Sequence, residues 1–301
     1  MKAKRFFSAI LGFVFLCAVV LSAVSCTKIS AADLMVDISA VHAEGREIDE
    51  AFTAAELAFS IEIFKRTAGE GNTLVSPLSV LLALAIVANG AEGETLAEME
   101  STLGLPIEEL NKYLYTYISS LPEEEKCKLT VANSVWLREE GINVNKPFLE
   151  VMAGYYGAEA YSAPFDSSTV RDINSWVSKN TDGMIDEVLE NIPPHTLFYI
   201  VNTLLFDAQW QTVYEKTNIS NGKFTTADGE ERTVKYMSAH ESNCFFGEDA
   251  SGFLKYYYGG KYAFVGVLPN DGDTSAYVDS LTAEKFAELF VFPESYSERT
   301  A

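Results

Sequence analysis

The strongest constraint on the fold of this chain is a run of eight apolar residues from Leu81 to Ala88. Ser76 and Pro77 precede the run, and both residue types are common where a helix begins. A helix that is apolar on every side has no face to offer water, so other elements must surround it. The chain has 301 residues, enough for one large domain or two ordinary ones to provide these surroundings.

Helices and strands are both predicted around this buried helix. The apolar spacing over residues 48–67 is compatible with a helix, and residues 71–76 favour a short extended segment. Residues 95–103 predict a shorter amphipathic helix, which Gly104 ends. Residues 129–136 alternate between apolar and polar side chains, as a strand does.

The N-terminus has the pattern of an export signal. Two lysines and an arginine among the first five residues precede an uncharged run of 20 residues, Phe6 to Ser25. This run is also long enough to cross a bilayer, so an uncleaved anchor helix is the alternative interpretation. Both interpretations place the body of the protein outside the cytoplasm.

Cys26 follows this run directly, after Ala23, Val24 and Ser25. The arrangement resembles the lipobox of bacterial lipoproteins, in which the cysteine is lipidated and becomes the new N-terminus. Ala23 stands where that family prefers leucine, so secretion without a lipid stays open. We expect residues 1–25 to be a lipoprotein-type signal peptide and Cys26 to be the lipidation site. The expected location is extracellular or at the cell surface, as a membrane-anchored lipoprotein.

Residues 26–46 carry small, polar and acidic side chains without a sustained apolar period. Such a composition is typical of a linker. The sequence therefore predicts a tether over residues 26–46, between the lipid and a folded body over residues 47–290.

The charge balance excludes one class of partner. Lysine and arginine number 22 against 43 aspartates and glutamates, so the formal net charge is −21. Nucleic-acid binding needs a basic surface for the phosphates, and we expect no nucleic-acid partner. Hydrophobic residues make up 48% of the chain, which argues against global disorder.

The residue types that catalysis and metal binding require are scarce. The histidines are His42, His195 and His240, and the cysteines of the body are Cys127 and Cys244. His240 and Cys244 stand four apart but have no second pair to complete a zinc site. No nucleophile elbow, zinc-binding helix or phosphate loop occurs, so we expect no enzyme activity, no metal and no cofactor. A hydrolase that uses His195 or His240 is the remaining enzymatic alternative, and a Cys127–Cys244 disulfide stays open.

Blocks of residues along most of the body resemble one family. These blocks are Asn72, Ser76-Pro77-x-Ser79, Gly90-Ala91-x-Gly93-x-Thr95, Leu103-Gly104, Leu129 to Trp136, Ile173-Asn174-x-Trp176-Val177, Thr181-x-Gly183-x-Ile185, Tyr199 to Trp210 and Leu254 to Pro269. In this order they resemble the serpins, the family of serine protease inhibitors. The resemblance implies an α+β fold with many helices and with mixed and antiparallel sheets.

The resemblance also implies a function, which is inhibition of an extracellular serine or cysteine protease. In serpins the protease cuts a loop near the C-terminus, and the loop inserts as a strand into the main sheet and traps the enzyme. Ser76, Ser79 and Asn202 match the shutter, the region where the strands part. Trp210 matches the breach, where insertion begins. Without the resemblance, Ser76 is a helix cap, Asn202 satisfies buried backbone groups and Trp210 fills the core.

The sequence departs from the serpin pattern after a predicted helix at residues 282–290. Residues 291–301 form a divergent tail with no hinge, no reactive centre and none of the closing strands. We expect the chain to be a fragment of an inhibitor of a target protease, monomeric but prone to polymerise through unpaired sheet edges. The alternative is a non-inhibitory, surface-anchored protein that keeps the serpin fold and binds a partner.

Overall fold

The computed structural model of this protein describes residues 29–69, 71–226, 228–241 and 243–290. The predicted signal peptide, Cys26 and the tail over residues 291–301 lie outside the described residues. The helices are α1 (Glu50–Thr67), α2 (Pro77–Ala88), α3 (Gly93–Leu103), α4 (Ile107–Ser119), α5 (Lys146–Tyr156), α6 (Ser167–Asn180), α7 (Thr274–Ser280) and α8 (Ala283–Glu288). The strands are β1 (Ala32–Asp33), β2 (Glu123–Glu124), β3 (Cys127–Arg138), β4 (Glu159–Ala163), β5 (Phe198–Ala208), β6 (Ile219–Thr225), β7 (Glu231–Met237), β8 (Cys244–Phe246), β9 (Ala250–Tyr256) and β10 (Ala263–Pro269).

Helix α2 lies at the centre of the largest hydrophobic core, as its sequence predicts. The side chains of Leu82, Ala85 and Ile86 are fully buried. Helices α1, α3 and α4 pack against α2, and so does strand β5. Pro77 occupies the first turn, and the Ser76 side chain caps that turn by accepting a hydrogen bond from the backbone of Ser79.

Gly104 ends α3, which confirms the predicted stop. Its φ of 80° lies in the left-handed region that favours glycine. A Cβ atom at this position would approach the Ala55 Cβ of α1 to 3.0 Å. Glycine is therefore needed here both for the helix end and for the close approach of α3 to α1.

Strand β3 is the centre of a five-stranded mixed sheet. It pairs parallel with β4 and antiparallel with β2 and β5, while β1 pairs with the outer edge of β4. The register places Asp33, Tyr161, Trp136 and Tyr199 in one row across four strands. A three-stranded sheet in the order β10-β9-β8 and the hairpin β6-β7 are antiparallel. The α+β fold with mixed and antiparallel sheets is thus confirmed.

Two cores cover the two faces of the mixed sheet. Val135 and Leu137 of β3 belong to the core around α2. Trp136 and Tyr161 lie on the opposite face, where Trp176 of α6 is buried with them. The rings of Trp136 and Tyr161 stack with their centroids 4.4 Å apart. The middle of β3 is therefore packed on both faces.

The predictions for individual elements are mostly confirmed, with one difference. The helices predicted at residues 48–67 and 95–103 are α1 and α3, and the strand predicted at residues 129–136 is the middle of β3. Residues 71–76, expected to be extended, contain no strand and lead irregularly into α2. No helix within the described part of the chain is long and apolar enough to cross a bilayer.

The segment over residues 29–46 lies on the body, which corrects the expectation of a free linker there. The Asp172 Oδ2 atom accepts hydrogen bonds from the Ser30 amide at 3.0 Å, the Ser30 hydroxyl at 2.7 Å and the Ala31 amide at 2.9 Å. We call this set of contacts the Asp172 clamp. The next residues form β1, and Leu34, Met35 and Ile38 then pack against the core around α2.

The composition of residues 26–46 misled the prediction for a physical reason. A helix or a long strand needs a repeating apolar pattern, because one face must be buried along its length. An extended segment can instead place single side chains into separate grooves and use its backbone for hydrogen bonds. Its contacts therefore leave no period in the sequence.

Asp172→Ala is expected to loosen the N-terminal segment. The substitution removes the acceptor of all three hydrogen bonds, and a bond to a charged group is worth about 1.5–3 kcal/mol. We expect the Ser30 and Ala31 amides to exchange with deuterium at least about tenfold faster, since 1.4 kcal/mol is a factor of ten. Exchange measured by mass spectrometry on the peptide that contains both residues tests this. Asp186→Ala, which alters an exposed carboxylate after α6, is the control, and unchanged exchange in Asp172→Ala would contradict the clamp.

Candidate functional site at the free edge of the central sheet

Strand β5 pairs with β3 along its whole length. Its register with β3 runs from Phe198 opposite Leu137 to Ala208 opposite Cys127. Within the described ranges no strand pairs with the other edge of β5. Backbone N–H and C=O groups along that edge are therefore open to pairing with another strand.

Asn202 lies in the middle of β5, on the same face as Ile200, which packs against the core around α2. Its amide nitrogen donates to the Asn133 Oδ1 atom of β3 at 2.8 Å. The Asn133 amide nitrogen donates in turn to the Tyr156 carbonyl at 3.2 Å. The Oδ1 atom of Asn202 is buried and has no hydrogen-bond partner among the described residues. An unpaired buried acceptor costs about 1–3 kcal/mol, so this atom is suited to receive a donor from an added group.

Two hydroxyl groups on the opposite face of the same strand pair are also unpaired. The Oγ1 atoms of Thr203 on β5 and Thr130 on β3 are buried without a partner in the part of the chain that the structure describes. Most buried polar side chains in proteins are hydrogen-bonded. The backbone pairing of β3 with β5 is continuous, but three buried side-chain oxygens of these strands have no partner among the described residues.

Ser76 and Ser79, predicted with Asn202 to form the shutter, lie at the start of α2. The Ser76 hydroxyl donates to the Ser79 Oγ atom at 3.0 Å and accepts from the Ser79 amide at 3.3 Å. Neither serine shares a hydrogen bond with Asn202 among the described residues. The structure thus shows the capping role directly, and the role of the two serines in strand parting stays a prediction.

Trp210, predicted at the breach, lies two residues beyond the end of β5. It forms an isolated bridge with Tyr257, and the two rings stack with centroids 4.4 Å apart. The Phe264 ring of β10 meets it edge-on at 6.1 Å. The indole is only partly buried, so it links the end of the mixed sheet to the sheet of β9 and β10 without being an enclosed core residue.

A buried ion pair next to Trp210 was missed from the sequence. The Lys255 ammonium of β9 lies 2.5 Å from the Glu241 carboxylate, and the Lys255 side chain is only 4% exposed. The ammonium also lies 4.4 Å from the centre of the Tyr214 ring and 5.7 Å from that of Trp210. A lysine between apolar and aromatic residues of a predicted strand was the one signal available. Its partner stands 14 positions earlier in a loop, which no local pattern indicates.

The residues considered for catalysis or metal binding are not brought together. His195 lies in an exposed turn before β5, and His240 lines a cavity beside Lys255. Cys127 and Cys244 are free thiols, so the disulfide left open is not formed, and burial raises the pKa of the Cys127 thiol. The described residues contain no group of three or more side chains that could hold a metal ion.

Comparisons with known proteins identify a family for this arrangement. The family model described as serpin (serine protease inhibitor) matches residues 54–298. An uncharacterized serpin-like protein of Thermococcus kodakarensis is 26% identical over 75% of this chain and 55% of its own length. Bovine serpin A3-2 is 27% identical over 75% of this chain and 58% of its own length. The chain thus spans a little over half the length of these curated relatives.

Solved structures agree with the family model. The thermophilic serpin tengpin in its native state superposes with a TM-score of 0.83 at 46% identity, over 86% of this chain and 68% of tengpin. Emu ovalbumin superposes with a TM-score of 0.72 at 20% identity, over 80% of this chain and 69% of that protein, which shows a shared fold alone.

The hydrogen bond between Asn133 of β3 and Asn202 of β5 predicts that substitutions at these two positions have non-additive effects on stability. Asn133→Ala is expected to lower the free energy of unfolding by about 1–3 kcal/mol, because it leaves the Tyr156 carbonyl unpaired and the Asn202 amide with only its long 3.5 Å contact to the Ala132 carbonyl. Asn202→Val should cost less, because it also removes the unpaired Oδ1 atom. The double variant should cost less than the sum of the single changes, as expected for residues in contact.

Urea unfolding of the four proteins measures this coupling. Asn221→Ala on the exposed strand β6 is the control and should change stability by less than about 0.5 kcal/mol. Strictly additive costs would show that the two asparagines do not act together.

The ion pair predicts that removing a carboxylate lowers stability more when its lysine partner is buried than when it is exposed. Glu241→Ala leaves the Lys255 ammonium buried without a counter-charge, and about 3–5 kcal/mol of stability should be lost. Combining Lys255→Met with Glu241→Gln should recover most of the loss, because no charge then remains buried. Glu231→Ala is the matched control, since its partner Lys223 also lies 2.5 Å away but both side chains are more than half exposed. The control should cost less than about 1 kcal/mol in thermal or urea unfolding, and equal costs for the two pairs would refute this assignment.

Proposed function

We propose, since this chain belongs to the serpin family, that the whole protein inhibits an extracellular protease of the serine or cysteine class. The resemblance implies the mechanism. The protease cuts a loop of the inhibitor, and the cut loop enters the main sheet as a new strand while the enzyme remains attached through its nucleophile. The observation that carries the proposal is the free edge of β5 with the buried, unpaired Oδ1 atom of Asn202.

The edge of β5 offers what an added strand needs. Its eleven residues present backbone donors and acceptors, and each hydrogen bond formed stabilises the product by about 0.5–1.5 kcal/mol net. A donor side chain on the new strand would also pair with Asn202. Strand addition to an exposed sheet edge is a general mode of recognition that includes the insertion of serpin loops.

Trp210 stands at the end of β5 where the proposed strand would enter. Its stacking on Tyr257 and its contact with the buried Lys255 couple that end of the sheet to β9 and β10. We propose that this contact region is the breach of the protein. Ser76 and Ser79, small residues at the start of the helix that packs on β5, would form the shutter with Asn202.

The proposal assigns this chain the part of the inhibitor that accepts the strand. The loop itself is not found in residues 29–290, and the resemblance to serpins implies that it follows residue 290. We propose that the loop and the closing strands are supplied by further sequence of the whole protein. A closing strand would then cover the edge of β5 and part from it when the cut loop enters. We also propose export and lipidation at Cys26, on the strength of the sequence pattern.

The test is complex formation by the whole protein with a panel of extracellular serine and cysteine proteases. We expect a complex that survives denaturing gel electrophoresis and has the summed mass of protease and cleaved inhibitor. Asn202→Leu should shift the outcome from complex toward cleaved, uncomplexed protein, because insertion beside β5 loses a polar partner. Asn221→Leu on β6 is the matched control and should leave the ratio unchanged.

Two outcomes would contradict the proposal. Cleavage by every reactive protease without a stable complex would exclude trapping. Absence of any cleavage or complex across the panel would instead favour the alternative, a non-inhibitory surface protein with this fold.

A further inference from the structure

The Asp172 clamp fixes the point where the chain leaves the body toward the N-terminus. Asp172 is 7% exposed. One oxygen of its carboxylate accepts hydrogen bonds from the Ser30 amide, the Ala31 amide and the Ser30 hydroxyl. Ile29 and Ala31 also pack against the core that contains Trp136 and Trp176. The described chain thus begins on the face of the sheet that α6 covers, beside the middle of α6.

The chain between this point and the proposed lipid is very short. Cys26 precedes Ile29 by three residues, and three residues span at most about 11 Å when fully extended. A flexible tether over residues 26–46 would instead have an average end-to-end distance of roughly 25 Å, which is about 5–6 Å times the square root of the number of residues. The clamp therefore replaces a long tether by a short one.

We propose, on the basis of the proposed lipidation at Cys26, that the Asp172 clamp seats the protein on the membrane with the end of the sheet nearest Ser30 at the surface and the Trp210 end pointing away. The partner of this end is the leaflet that holds the lipid. The length of chain outside the described structure and the place where it ends identify that partner.

The register of the sheet gives the distance between the two ends. Asp33 of β1 lies in the same row as Tyr161, Trp136 and Tyr199. From Tyr199, strand β5 continues for nine residues to Ala208, which is about 30 Å at 3.3 Å per residue. The anchored end and the Trp210 end are therefore at opposite ends of the sheet.

The consequence concerns access by the protease. If strands enter beside Trp210, the entrance lies on the side away from the membrane, within reach of enzymes dissolved in the surrounding medium. A protease embedded in the same membrane would meet the anchored end of the sheet first. The clamp would thus favour soluble target proteases.

Energy transfer from a dye on the protein to acceptor lipids in a vesicle tests the orientation. The lipidated protein, purified with a Cys244→Ser background, is labelled at Arg171→Cys beside the clamp or at Gln211→Cys beside Trp210, both exposed positions. In vesicles of phosphatidylcholine and phosphatidylglycerol we expect several-fold greater transfer from position 171 than from position 211.

A spacer insertion is the matched control for tether length. Twenty glycine and serine residues inserted between Lys28 and Ile29 leave every described contact intact and should make transfer from the two positions nearly equal. The same insertion after Asp228, in the exposed turn between β6 and β7, should leave the difference unchanged.

The possible failures are distinguishable. Mass spectrometry of the N-terminal peptide shows whether Cys26 carries a lipid. A lipidated protein with equal transfer from both positions without the spacer would overturn the orientation alone. A protein without lipid on Cys26 and without vesicle binding would overturn the anchor and this inference together, and would leave the inhibitory function to its own test.

Discussion

The structure depends on the burial of α2. Because this helix has no polar face, helices α1, α3 and α4 must cover part of it and the sheet must cover the rest. The face of β3 and β5 that meets α2 is thereby fixed. Side chains alternate along a strand, so the opposite face is fixed as well, and α6 covers it with Trp176 over Trp136 and Tyr161. The position of Asn202 between sheet and helix is a consequence of this one constraint.

Polar groups around α2 are fully paired at one end of the helix and incompletely paired beside β5. At the end of α2, Asn89 and Asn111 exchange hydrogen bonds at 3.0 Å and 2.8 Å, and the Tyr156 hydroxyl donates to Asn111 at 2.5 Å. Burial raises the pKa of Tyr156, so its hydroxyl stays protonated and can donate. This network fixes α2, α4 and α5 to one another. The unpaired Oδ1 atom of Asn202 lies outside this network, on strand β5.

Patterns with a short repeat could be predicted from the sequence, and contacts between distant residues could not. The all-apolar composition of α2, the alternation in β3 and the stop at Gly104 are local, and each predicted its element. The family resemblance then singled out Asn202 and Trp210, which lie at the middle and just beyond the end of β5. The Asp172 clamp joins residues more than 140 positions apart, and Lys255 meets Glu241 across a loop. Charged residues that pair inside a fold look the same in a sequence as charged residues on its surface.

The two edges of the mixed sheet differ in whether another strand of the described chain pairs with them. At one edge the chain adds β1 to β4 from its own N-terminal segment, and Asp172 holds that addition in place. At the other edge no strand among the described residues pairs with the eleven residues of β5, and Phe198 and Phe206 are exposed at 49% and 37%. An open, apolar edge is a hazard for aggregation unless a strand covers it. Because the chain's own segment closes one edge, we propose that a further strand enters beside β5, where Asn202 lies in the middle of the strand and Trp210 just beyond its end.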